Sequence, residues 1–368
     1  MKTRLILLGA GKIGDAILAL LAHAGGFRIT VVDRDAQRLA QVQQLQLPDV
    51  HTVCLDLGDT VTSPRDELAR LIDGHEVTLS ASPYFLTPAI ATAAKRAGSH
   101  YFDLTEDVRS TRAVKTLAED AATAFVPQCG LAPGFISIVA HDLASRFERL
   151  RDVHMRVGAL PTFPSNALKY NLTWSTDGLI NEYCNPCEAI VDGALREVPA
   201  LEEVERFSLD GVDYEAFNTS GGLGTLCETL SGRVQNLNYK TVRYPGHRDI
   251  IKVLLRDLQL GAPERRAILK DVLEAAIPIT RQDVVLVFVS VCGWREGRLE
   301  QESYARKIYS RQLHGRWLSA IQLTTAAGIC AMVDLVLQGH LPRAGLVRQE
   351  QARLEDFLGN RFGSVYAA

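Results

Sequence analysis

The sequence predicts an α/β protein. A Rossmann-type, doubly wound parallel sheet comes first, then a mixed α+β domain inserted ahead of a C-terminal helix that returns to the first domain. Three observations carry this. Residues 4–14 join an apolar run to a glycine-rich turn. β–α alternation then continues to about residue 130, and the glycine- and proline-rich stretch Cys129-Gly130-Leu131-Ala132-Pro133-Gly134 opens a region where strands dominate. The expected parts are 1–131 for dinucleotide binding, 132–317 for substrate binding and dimerisation, and 318–368 for the returning segment.

The first strand runs into Gly9, Ala10, Gly11, Lys12, Ile13 and Gly14, the G-x-G-x-x-G spacing. Gly9 allows the tight turn, Gly11 lets backbone approach a pyrophosphate, and Gly14 lets the helix press on the strand. Free N–H groups at the start of that helix suit the diphosphate. The helix continues to Ala24, and a second strand, Phe27–Val32, closes on Asp33, 19 residues after Gly14. A carboxylate there accepts the ribose hydroxyls and repels a 2′-phosphate, so NAD is expected. Arg34 beside it leaves NADP possible.

A helix over Ala36–Gln44 and a strand over Val50–Leu55 follow. Asp56 and Leu57 end that strand beside the adenine position, with a turn role as the alternative. A helix over Arg65–Ile72 leads to a strand at Glu76–Ser80. The loop Ala81-Ser82-Pro83-Tyr84-Phe85 leaves the carboxyl end of this central strand, where ligands bind in open parallel sheets. Next come a helix over Pro88–Ala97, a strand over His100–Leu104, a helix to about Ala124 and a strand over Phe125–Gln128.

Beyond a helix over Ile136–Phe147, strands are expected at Val153–Val157, Lys169–Trp174, Glu188–Val191, Val212–Ala216, Tyr239–Arg243 and Asp283–Val291. Helices are expected near Asp177–Tyr183, Leu223–Leu230, Asp249–Leu258 and Glu264–Ala275. Leu318–Leu337 reads as a long apolar helix with many small residues, suited to close packing. Gln322 and Asp334 interrupt it too much for a membrane span.

Of the 368 residues, 47% are hydrophobic and 23% charged, with a net charge of −3. That suits a two-domain enzyme and argues against a nucleic-acid partner. No secretory leader is read at the start, so a cytoplasmic location and no membrane partner are expected. Seven cysteines, an odd count, suggest free thiols. Cys184 and Cys187 have C-x-x-C spacing without a second ligand pair, and none of the nine histidines has H-x-x-x-H spacing, so no metal is expected.

Several stretches together resemble a known family: Leu79-Ser80-Ala81-Ser82-Pro83-Tyr84-Phe85, the turn at 129–134, Tyr170-Asn171-Leu172-Thr173-Trp174-Ser175, 220–226, and Lys240-Thr241-Val242-Arg243-Tyr244-Pro245-Gly246-His247. The chain resembles the saccharopine dehydrogenase-like family over nearly its whole length, and within it the lysine 6-dehydrogenase branch. The resemblance implies an NAD(P)-linked oxidoreductase acting on amino-acid C–N bonds. Fungal saccharopine reductases carry an aspartate in the Gly-Leu-x-Pro-Gly turn where this chain has Ala132. That departure points to NAD-dependent oxidation of L-lysine at the ε-carbon, giving allysine, which cyclises to piperideine-6-carboxylate. The alternatives are a saccharopine or carboxyspermidine-type enzyme using NADP(H), and a non-catalytic NAD-binding sensor.

Hydride leaves a carbon bearing nitrogen only when that nitrogen is neutral, and a lysine amine titrates near ~10.4. A general base is therefore needed. Asp103, ending a strand, is the first choice, with Glu106 and Asp107 following; helix caps are the alternative. Tyr84 is expected to orient substrate or relay a proton, or else to pack on the cofactor. Asp107 also enters as a substrate-binding acid. The substrate carboxylate calls for a cation. Arg243 is the better clamp because its planar fork binds two oxygens, with Lys240 and Lys169 as further candidates. His247 is a candidate proton shuttle near neutral pH. Lys169 and Trp174 should lie on opposite faces of a strand. A small amino-acid substrate and a homo-oligomer, a dimer or dimer of dimers, complete the expectations.

Overall fold

The computed structural model describes residues 2–58, 67–313 and 315–367. The chain divides into two units, Met1–Gly134 with Thr325–Ala368, and Phe135–Thr324.

The first unit holds β1 (Thr3–Leu8), α1 (Lys12–Ala24), β2 (Phe27–Asp33), α2 (Ala36–Gln44), β3 (Val50–Cys54), α3 (Glu67–Ile72), β4 (Val77–Ser80), α4 (Thr87–Ala97), β5 (His100–Asp103), α5 (Val108–Ala118) and β6 (Ala124–Val126). The predicted start of α3 at Arg65 lies outside the described residues. A late two-residue strand, here β17 (Gly345–Leu346), completes a seven-stranded parallel sheet in the order β17-β6-β5-β4-β1-β2-β3. Leu5, Ile6, Leu7 and Leu8 of β1 are fully buried, as a central strand covered on both faces requires. The chain turns from β2 on one side of β1 to β4 on the other, which opens a crevice at the carboxyl ends of those strands.

The returning helix α11 (Ala320–Leu337) begins in the second unit and lies mostly in the first. It is long and apolar enough to cross a membrane, yet 83% of it is buried inside the protein. Its small residues have a packing reason. A Cβ at Gly328 would lie 2.8 Å from the Cys129 carbonyl oxygen and 2.9 Å from that of Gly130. Asp334 is no flaw in the helix either: it pairs with Arg361 at 2.8 Å and accepts the side-chain amide of Asn360 at 2.8 Å.

In the second unit, α6 (Phe135–Ala144) precedes β7 (Arg149–Pro161), α7 (Thr176–Cys184), β8 (Cys187–Val191), β9 (Ala194–Val198), β10 (Glu205–Leu209), β11 (Val212–Asn218), α8 (Leu226–Thr229), β12 (Asn236–Arg243), α9 (His247–Lys252), α10 (Arg266–Ala276), β13 (Asp283–Arg295), β14 (Arg298–Tyr309), β15 (Arg311–Leu313) and β16 (Arg316–Leu318). A six-strand path, β10-β11-β12-β7-β13-β14, carries the hairpin β8–β9 on β12. Along that path only β7 and β12 run parallel.

Two expectations fail here. Lys169–Trp174 is not a strand. Asn166 holds it as a loop, its amide donating to the Tyr170 carbonyl at 2.7 Å and accepting the Tyr170 N–H at 3.3 Å, so no neighbouring strand is needed. The helix expected over Asp249–Leu258 starts earlier, at His247, and its second half, Val253–Asp257, widens into a π-helical turn.

Candidate coenzyme and substrate sites

The glycine turn packs as its spacing demands. Gly9 has φ 104°, and a Cβ there would lie 2.7 Å from the Ala81 carbonyl oxygen. A Cβ on Gly14 would lie 2.0 Å from the Gly9 oxygen. Gly11 differs: its Cβ would meet no backbone, and the nearest atom is Nη1 of Arg38 at 3.5 Å. The space over Gly11 is the cradle that a pyrophosphate needs, so the residues present fit a dinucleotide. Ala10, Lys12 and Ile13 fill the turn and the opening of α1.

At the end of β2, Asp33 accepts the Ala10 N–H at 2.6 Å and the Asp35 N–H at 2.9 Å. The carboxylate thereby ties the glycine turn to the ribose position. Arg34 is exposed and reaches Asp56 only at 3.7 Å, and Arg38 reaches Asp35 at 3.4 Å. Two loosely held guanidinium groups thus flank Asp33. Arg38 escaped the sequence reading because it lies one helical turn into α2, away from the fingerprint. Asp56 also accepts the Gly58 N–H at 2.9 Å, a turn-closing role, and Leu57 is buried in the core. Beyond β4, Ala81 closes on Gly9, the Ser82 hydroxyl donates to the Leu8 carbonyl at 3.0 Å, and Pro83 leads into a 3-10 turn with Tyr84 half-buried.

Three acids lie at the end of β5 and just beyond it, and they divide the work. Asp103 is buried. Its Oδ1 accepts the N–H groups of Thr105 at 3.0 Å and Gln128 at 2.9 Å, while among the described residues its Oδ2 makes no hydrogen bond of good geometry. Burial raises its pKa to about 6. Glu106 keeps part of its surface, but protein crowds its carboxyl. Burial, with the charges of Asp107 and Asp103 adding to it, raises its pKa to about 7. Asp107 is spent on capping α5, accepting the Ser110 N–H at 2.7 Å. The expected order therefore changes. Asp103 organises the loop from inside, Asp107 is a cap rather than a substrate ligand, and Glu106 is the acid left with both access and a near-neutral pKa.

In the second unit a directional chain runs through Arg243, Tyr183 and His247. Arg243 is buried, and its Nε donates to the Tyr183 hydroxyl at 3.0 Å. The guanidinium lies 4.8 Å from the Tyr170 ring, and among the described residues it forms no ion pair. Glu215 accepts the N–H groups of Gly246 and Arg248 at the start of α9, fixing the intervening His247. The histidine Nδ1 lies 2.8 Å from the Leu168 carbonyl, which can only accept, so Nδ1 carries the proton. Nε2 then accepts from Tyr183 at 3.1 Å. Burial, and next the Arg243 charge, lower the histidine pKa to about 3. His247 is thus a neutral strut with both nitrogens engaged, not a shuttle poised near pH 7.

Lys240 does not join this group. It sits three residues from Arg243 on β12, so the period of two turns it to the opposite face. There it is buried with Nζ 2.7 Å from Glu205, whose carboxylate Arg156 also grips at 2.7 and 2.8 Å. Lys169 has φ 51° and donates to the Pro245 carbonyl at 3.0 Å. It buttresses the Tyr244–His247 turn, and the face argument about Trp174 lapses with the strand. Trp174 donates to the Tyr170 hydroxyl at 3.1 Å. Cys184 and Cys187 are free, and burial pushes both thiols up, Cys187 to about 12, so both stay protonated near neutral pH.

Two family models match the chain end to end. Residues 5–126 match the saccharopine dehydrogenase NADP binding domain, and residues 130–360 match the saccharopine dehydrogenase C-terminal domain. The chain belongs to the saccharopine dehydrogenase family. Similar members include the mitochondrial alpha-aminoadipic semialdehyde synthase of Rattus norvegicus, 23% identical over 54% of this chain and 21% of that protein. Another is the NADP(+)-dependent, L-glutamate-forming saccharopine dehydrogenase of Pyricularia oryzae, 24% identical over 77% of this chain and 66% of that protein. The chain thus spans only about a fifth of the synthase it matches. Apo saccharopine dehydrogenase (L-Glu forming) from Saccharomyces cerevisiae has the same fold, with a TM-score of 0.78, 17% identity and 98% coverage of both chains. Residues 5–126 of the first unit are accordingly the pyridine-nucleotide-binding domain of this family.

Proposed function

We propose that this member of the saccharopine dehydrogenase family is an NADP(H)-dependent oxidoreductase acting on the CH–NH group of a lysine-derived amino acid of the saccharopine type. The observation that carries the substrate class is Arg243. A guanidinium withdrawn from water without an ion pair is costly unless an anion completes it. Tyr183 holds its Nε, the Val242 carbonyl takes Nη1 at 2.9 Å, Tyr170 backs the plane and Glu182 acts on it electrostatically, which leaves Nη2 for a substrate carboxylate.

For the coenzyme, Arg34 and Arg38 supply two cations for a 2′-phosphate beside the ribose position, in keeping with the NADP-binding family model. When bound, the coenzyme supplies the hydride acceptor. The protein's own task is the proton. The reacting nitrogen must be neutral before its lone pair can drive hydride away, and the imine formed must then take up water. Glu106, with a pKa of about 7, accepts a proton at the first step and handles the water proton at the second. Burial keeps that pKa high, with the charges of Asp107 and then Asp103 adding to it.

Asp33 favours a second reading, NAD-dependent oxidation of L-lysine itself at the ε-carbon, because its carboxylate opposes a 2′-phosphate. Reduction of NAD and NADP, followed by absorbance with saccharopine and with lysine, distinguishes the two. Absence of turnover in either direction with both substrates and both coenzymes would refute the amino-acid oxidoreductase reading.

A further inference from the structure

The second unit holds a cavity of about 510 Å³, walled by the end of α7, the stretch that follows β9 and the π-helical turn. Clefts of roughly 300–1,000 Å³ are the size in which proteins hold small organic molecules. Three kinds of surface meet in this one. Pro186, Val198, Pro199 and Leu255 form an apolar wall, Arg256 brings a guanidinium and Glu197 a carboxylate. The basic side is short of negative charge. Arg256 donates to Glu202 at 2.6 Å, but Arg248 and Lys252 each hold the same carboxylate at 3.0 Å, so one acid serves three cations. Arg266, which opens α10, donates from Nε to the carbonyl of Gly261, another wall residue, at 3.0 Å. Among the described residues it pairs with no carboxylate, and its charge reaches the Cys184 thiol in the same wall. Glu197 has the opposite need. It is exposed, forms no ion pair among the described residues, and lies directly across the β8–β9 hairpin from Glu188. Like charges facing each other across two strands are unfavourable, and an ammonium beside them relieves the repulsion.

We propose that this cavity binds an aliphatic α-amino acid as its zwitterion, with the carboxylate on Arg256 and Arg266, the ammonium on Glu197 and the side chain against the apolar wall. The planar fork of an arginine suits a carboxylate, and two of them stand at this site. An inorganic anion would leave Glu197 and the apolar wall unused. A neutral apolar molecule would leave all three charges unused. The binding does not depend on the proposed reaction, but its consequence does. Tyr183 forms part of the wall, and its hydroxyl meets Arg243 at 3.0 Å and His247 at 3.1 Å. An occupant pressing on that ring is therefore coupled to the group that takes the substrate carboxylate, and the coupling acts equally in both directions.

Isothermal titration of the full chain with L-leucine tests this. The wild type should bind it. Isocaproate, which is leucine without its amine, and isopentylamine, which is leucine without its carboxylate, should each bind at least about tenfold more weakly. Arg266→Gln and Glu197→Gln, at side chains that hold no ion-pair partner, should each weaken leucine by about tenfold. Val198→Trp, which fills the cavity, should abolish binding, whereas Arg243→Lys should still bind. The KM for saccharopine should shift with leucine in the wild type and stay fixed in Val198→Trp. No heat with the wild type, binding that outlives Val198→Trp, or equal affinity for leucine and its two truncated analogues would overturn the site. A KM indifferent to bound leucine would overturn the coupling. Leucine binding in a protein that turns over neither substrate would count against the proposed reaction and leave the site standing.

Discussion

Acidification should expose the cost of His247. In the folded protein its pKa is about 3, against a reference of about 6.5, so the unfolded chain binds a proton first as pH falls. A depressed basic pKa gives stability that is full above the reference value and lost progressively as pH drops towards the folded one. At pH ~4.5 the unfolded imidazole is almost wholly protonated and the folded one is not, a linkage of roughly 3 kcal/mol. Protonated Nε2 could no longer accept from Tyr183, and a cation would stand beside Arg243 through one hydroxyl. Asp103 and Glu106 act in the opposite sense, since their raised pKa values make the folded state the better proton acceptor between about pH 4 and 7. Wild-type stability alone would therefore mask the effect. The measurement is the stability gap between wild type and His247→Gln, by denaturant titration at pH 7.5 and 4.5. Trp174, Trp294 and Trp317 all lie in the second unit, so tryptophan fluorescence reports the part that contains the histidine. The variant should be less stable at pH 7.5, and the gap should shrink by roughly 3 kcal/mol at pH 4.5. A gap that does not change with pH would refute the reasoning.

Glu106→Gln should abolish the limb of the pH–rate profile near pH 7. It should also remove the stability that the wild type loses as pH rises towards that value; an unaltered profile rules out the proton role. Arg243→Lys should raise KM for the amino acid more than tenfold, because a point charge replaces a fork, while coenzyme Kd measured by fluorescence stays the same. Replacing Arg34 and Arg38 together by alanine should weaken NADP at least tenfold and leave NAD within about twofold. Equal losses for both coenzymes would remove the arginines from the 2′-phosphate. Gly14→Ala should cost several kcal/mol in thermal unfolding, since overpacking against a backbone oxygen has no side chain to yield. A melting temperature within a degree or two of wild type would contradict the close approach to Gly9.

The nucleotide-binding sheet was readable because each signal there is local. The fingerprint, the acid closing β2 and the strand-end loops all depend on residues a few positions apart. The second unit was harder. Three of its hairpins turn on Asp192-Gly193, Asp210-Gly211 and Glu296-Gly297, each pair with both φ values positive. This is the two-residue turn that suits the twist of antiparallel strands. An Asp-Gly pair between short runs was the signal for β9 and β10. β14 hid because an edge strand open to water reads as alternating charge rather than as an apolar run. For the candidate site, Arg243 was legible from its motif. The fates of Lys240 and Asp107 were not, because a salt bridge across strands or a helix cap is decided by what folds alongside. His247 shows the same limit, since its pKa depends on burial and on a cation that spacing cannot reveal.

The position of β17 bears on how the protein is made. Its two residues pair with β6, more than 200 positions earlier in the chain, and Gln349 reaches the Pro127 carbonyl at 2.8 Å. A ribosome releases the whole inserted unit before these residues emerge. The nascent nucleotide-binding half must therefore wait, its outer strand bare, while the part encoded later is free to fold first. Stalled synthesis short of Gly345 would leave a polypeptide whose second part is finished and whose first is not.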